Sequence, residues 1–71
     1  MMLEEAVAEV IRKGRTVQIA PAAPGFEVSI SDSARYVRDV VDDPEHLALS
    51  VAAVDRALDL FIARDLGAPA D

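Results

Sequence analysis

A chain of 71 residues with 13 carboxylates against 7 lysines and arginines has a net charge of −6. Such a field repels nucleic acid and anionic membrane and attracts basic partners. The chain holds no cysteine and a single histidine, which excludes disulfides and thiolate or multi-histidine metal centres, while 52% apolar residues exclude a disordered acidic tail.

The length fits one domain, residues 1–71. A domain this small buries only about 60% of its unfolded surface, so assembly or a partner would help it. Residues 3–13 open the chain as a predicted helix. Leu3, Ala6, Val7, Val10 and Ile11 fall on one stripe, Glu4 and Glu5 sit near its start, Arg12 and Lys13 near its end, and Gly14 follows as a C-terminal cap. No signal-peptide apolar run reads from MMLEEAVAEVIRKGR, and no stretch reaches membrane-spanning length. A cytoplasmic location is the expectation.

Strands are predicted over 15–20 and 26–31. Val17 and Ile19 alternate with Thr16 and Gln18, and Phe26, Val28 and Ile30 alternate with Glu27 and Ser29. Pro21-Ala22-Ala23-Pro24-Gly25 supplies the turn between them. The Ser31-Asp32-Ser33 cluster of N-cap residues then predicts a helix over 34–42 with Val37, Val40 and Val41 inward. Pro44 stops that helix at Asp43 and starts the next, with Asp43 as N-cap and Pro44 in the first position.

The last helix is predicted over 44–66, ended by Gly67 and Pro69, with a short tail 67–71. Leu47, Val51, Val54, Leu58 and Phe61 form a seam along it. Leu49, Ala53 and Leu60 form a second apolar set on the other side, free for self-association or a partner. The expected class is α+β, a single small domain of order helix–hairpin–helix–helix with a two-stranded antiparallel sheet packed on helices. Its core joins Val7, Val10 and Ile11 to Val17, Ile19, Phe26, Val28 and Ile30 and to Val51, Val54, Leu58 and Phe61.

Catalytic chemistry has little to stand on. His46 has no partner at metal-ligand spacing, the serines lack triad context, and no glycine-rich phosphate loop exists. A non-enzyme without cofactor or metal is expected. Arg12, Lys13 and Arg15 form the basic cluster, three charges without interleaved aromatics, and read as a cation-rich helix end rather than a nucleic-acid site. The acidic run Asp39, Asp42, Asp43 and Glu45 has no base after Arg38. It reads either as solubility with capping or as an anionic patch that occupies a basic groove.

In size, charge and the order LEEAVAEVIRKG, RTVQIAPAAPGFEVSI, AVDRALDLFIARDL, the whole chain resembles short acidic accessory proteins of phages and mobile elements, among which anti-CRISPR proteins are the best-known class. That resemblance is of style over the full length and carries no motif and no functional residue. It implies a stoichiometric inhibitor of a nucleic-acid-handling complex, whose partner would be a basic protein surface such as a Cas effector subunit, with no direct nucleic acid and no membrane. The other reading is a small self-associating regulatory or structural domain, antitoxin-like and homodimeric, whose acidity serves only solubility. A sequence-specific DNA binder stands behind both, since −6 opposes it.

Overall fold

A computed structural model describes residues 2–23 and 25–67. The first helix, α1 (Leu3–Arg12), buries Ala6 and Val10, and Gly14 beyond its end adopts φ of 78°, a conformation open to glycine at little steric cost. Strands β1 (Thr16–Pro21), β2 (Phe26–Ser31) and β3 (Tyr36–Val41) form one antiparallel sheet in the order β1-β2-β3. A short 3-10 turn, Pro44–His46, leads into the long helix α2 (Leu47–Asp65). The class is thus α+β, with both helices on one side of the sheet.

Register explains the packing. Val17, Val28, Ile30, Val37 and Val41 share the helix-facing side, because Val17 lies opposite Ile30, Ile30 opposite Val37, and Phe26 opposite Val41. Val28 and Ile30 are fully buried under α2, with Val51, Val54 and Leu58 pressed on them. The helix α1 packs against α2 and reaches β1. The far side of the sheet, with Gln18, Ser29 and Arg38, carries no helix.

Two hairpins close the sheet. The amide of Ala22 donates to the Gly25 carbonyl at 2.8 Å, so the first turn is tight. Gly25 is required there: a Cβ would run into the Val41 carbonyl and sit 2.8 Å from the Asp42 Cα. The expected turn residue Pro24 lies outside the described residues. In the second hairpin the Asp32 amide donates to the Arg35 carbonyl at 2.9 Å, and the Asp32 carboxylate accepts the Ala34 and Arg35 amides at 2.8 Å.

Several expectations change. The helix expected over 34–42 is strand β3, so the sheet has three strands rather than two and the order is αβββ followed by α2. The Asp32 cluster serves an Asx-type turn, whose side-chain chemistry matches that of an N-cap. Asp43 does cap, accepting the Glu45 amide at 3.0 Å with Pro44 in first position, but the cap opens the 3-10 turn, and α-helical geometry begins only at Leu47. The core is narrower than expected: Ile11 is 61% exposed, Phe61 44% and Ile19 37%, while Val7 and Val17 are half-buried at its margin. Ile11 lies at the end of α1, Ile19 on the edge strand β1 and Phe61 in the last turns of α2. Pro69 and most of the expected tail lie outside the described residues. No helix among the described residues is long and apolar enough to cross a membrane.

Candidate partner-binding surface

Charge is distributed by pairing. Lys13 bridges Asp55 at 2.6 Å and Asp59 at 3.1 Å, while Arg15 bridges each of them at 2.6 Å. Asp55 is 5% exposed, and the network clamps the end of α1 to the middle of α2. The hydrogen bond that Lys13 donates to Asp55 raises the Lys13 pKa despite desolvation. Burial alone would raise the Asp59 carboxyl, but its bonds to Arg15 and Lys13 win and hold it below the ordinary value. Elsewhere Arg12 pairs with Glu9, Arg35 with Asp65 and Asp32, and Arg38 with Glu27. The basic cluster seen in the sequence is therefore consumed within the fold.

Among the described residues Asp39, Asp42, Asp43 and Glu45 form no ion pair. All four are exposed. Asp39 points to the helix-facing side of β3, opposite Val28, and takes a hydrogen bond from the buried Ser50 hydroxyl at 3.3 Å. Asp42 and Asp43 follow where the chain leaves β3, and Glu45 stands in the 3-10 turn.

The structure joins sets that the sequence kept apart. Asp39, Asp42 and Asp43 line an open hollow of 580 Å³ together with Val40, Leu49 and Ala53. Glu45 is next to this hollow in the chain but not on its wall. A smaller depression bounded by Val37, Asp39, Ala53 and Ala57 continues it, and a third, bounded by Val37, Ala57, Leu60, Phe61 and Arg64, ends it. Shared walls make these one furrow between β3 and α2. It is acidic at the Asp42 end and apolar toward Leu60. Leu49 is 62% and Leu60 51% exposed, so the second apolar side of α2 stays uncovered by the described residues.

A second hollow, of 490 Å³, lies between α1 and α2 and is lined by Glu5, Glu9, Asp55 and Asp59 among others. Three of these carboxylates are already neutralised by Arg12, Lys13 and Arg15, so it offers less unspent charge than the β3 furrow. Among the described residues no cluster of His, Cys, Asp or Glu is arranged to hold a metal ion.

Sequence reasoning missed the Asp55–Asp59 clamp and the open strand β3. The signal for the first was present. Two aspartates four residues apart on a helix repel unless cations arrive from elsewhere, and Asp55 directly follows Val54 of the seam. A search of protein-family models, curated proteins and solved structures found no match for the chain.

Proposed function

We propose that this chain is a stoichiometric binding protein that docks its acidic corner, Asp39, Asp42, Asp43 and Glu45, on a basic surface of a nucleic-acid-handling protein and so blocks it. One observation carries the reading. Four carboxylates without an ion pair among the described residues, Asp39, Asp42, Asp43 and Glu45, gather at one corner beside exposed Val40 and Leu49, whereas Asp55 and Asp59 on α2 are spent on internal pairs and the unpaired Glu4 and Glu5 stand apart at the start of α1. Unpaired charge next to apolar surface suits a protein interface: the charge steers encounter and the apolar area holds the complex. The anti-CRISPR resemblance would make the partner a Cas effector subunit. The competing reading, a small self-associating regulatory domain, draws on exposed Leu60 and Phe61.

The test is capture at low and moderate salt by the wild type and by the Asp39→Lys/Asp42→Lys/Asp43→Lys variant, with circular dichroism as the folding control. A nucleic-acid-binding protein should be retained by the wild type in one-to-one ratio, released by salt or competing DNA, and lost from the variant. Equal, salt-insensitive capture by both would make the acidity a solubility feature and favour self-association.

A further inference from the structure

The β3 strand lies at the edge of the sheet, and its hydrogen-bonding direction follows from the two hairpins. The Asp32–Arg35 backbone bond closes the second turn, and antiparallel pairing then alternates bonded and non-bonded pairs. Val37, Asp39 and Val41 therefore aim their amides and carbonyls at β2, and Tyr36, Arg38 and Val40 aim theirs outward. Among the described residues no backbone bond to another element uses those outward groups. The same counting from the Ala22–Gly25 bond turns Val17, Ile19 and Pro21 of β1 outward. Pro21 has no amide to give. Of the two sheet edges, β3 alone combines a full outward set of donors with a furrow at its side.

We propose that the β3 edge and its furrow take up an extended basic segment of a partner as an added antiparallel strand, a reading that rests on the proposed partner-binding role of the acidic corner and names what enters it. Residues of the incoming strand opposite Val41 and Asp39 face the furrow at its acidic end, where lysine or arginine meets Asp39, Asp42 and Asp43. The next furrow-facing residues meet Ala53, Ala57 and Leu60, where apolar side chains fit. Arg64 at that far end disfavours a further base. Because β3 runs toward the acidic corner, antiparallel addition places the basic residues at the N-terminal half of the segment. A second copy of β3 is a poor occupant: pairing Tyr36 with Val40 across a two-fold would set Arg38 directly against Arg38. The inward Asp39 on an edge strand likewise discourages unselective pairing.

The probe is an octapeptide with lysine at positions one and three, valine at five and seven, and threonine at the even positions, titrated into the full chain at low salt. Two N-methylated isomers of equal charge accompany it. One blocks the even amides, which face β3 in the proposed register, and the other blocks the odd amides, which face solvent. The parent and odd-methylated peptides should bind alike and slow amide exchange at Tyr36, Arg38 and Val40, while the even-methylated isomer binds about tenfold or more weakly, from loss of several backbone bonds. Equal binding by both isomers, without protection at β3, would overturn strand addition and leave the acidic corner as a charge-only docking site. Protection at Val17 and Ile19 would move the event to β1 and also overturn it. Absence of binding by any of the three would remove both strand addition and the affinity of this corner for basic segments.

Discussion

Leu58 and Phe61 stand three residues apart on the same predicted seam, yet Leu58 has no exposed surface and Phe61 is nearly half exposed. Leu58→Ala should therefore cost about 2–5 kcal/mol, the range for a large-to-small change in a closed core. If the domain's total stability is about 5 kcal/mol, chemical denaturation should find only about 0–3 kcal/mol left. Phe61→Ala, in contrast, should cost about 1 kcal/mol or less, since surface substitutions away from buried features change little. Asp55 belongs to the same scale. Its side chain is nearly buried between Lys13 and Arg15, and it owes that position to two cations brought in from the loop after α1.

At the scale of elements, the hairpin alternation makes a pair of substitutions diagnostic. Val37→Pro removes a ladder amide to Ile30 and should abolish the cooperative transition in thermal unfolding. Arg38→Pro removes only an outward amide and should retain one at lowered midpoint. The two helices and the first hairpin were legible because their apolar residues keep a clean period: Leu3, Val7 and Val10 for α1, Val28 and Ile30 for β2. The third strand was not. Its inward position 39 is aspartate where alternation calls for a hydrophobe, and the remaining valines, 37, 40 and 41, imitate helical spacing. Of the binding surface, the acidic run and the spare leucines were both legible as sets. Their meeting in one furrow was not, since it depends on β3 lying beside α2.

For the whole molecule, pairing sets the response to pH. The Asp59 and Asp32 carboxyls are held below their ordinary value, the first by Arg15 and Lys13 against its burial, the second chiefly by the Ala34 and Arg35 amides. A depressed carboxyl stabilises the fold above its unfolded pKa, about 4, and that contribution fades as pH falls through the folded value. Lys13, raised by Asp55, works in the opposite sense: its contribution is full below about pH 10 and fades as pH climbs past the folded value. Thermal midpoints should be level from about pH 6 to pH 9 and decline below about pH 4. Asp59→Asn should lower the plateau and flatten the acid limb. An acid limb identical in the two proteins would show that the clamp does not govern it.

Gly25 gives the corner a property that charge alone does not. Its missing side chain lets the first hairpin's turn rest on the backbone of Val41 and Asp42, the point where the acidic residues begin. The turn thus acts as a gauge block beneath them. One methyl group added there, as in Gly25→Ala, would meet the Val41 carbonyl and the Asp42 Cα, so the turn or the end of β3 would have to give way, and with it the platform that carries Asp42 and Asp43. The placement of the charges thus depends on the missing side chain of a residue that carries no charge itself.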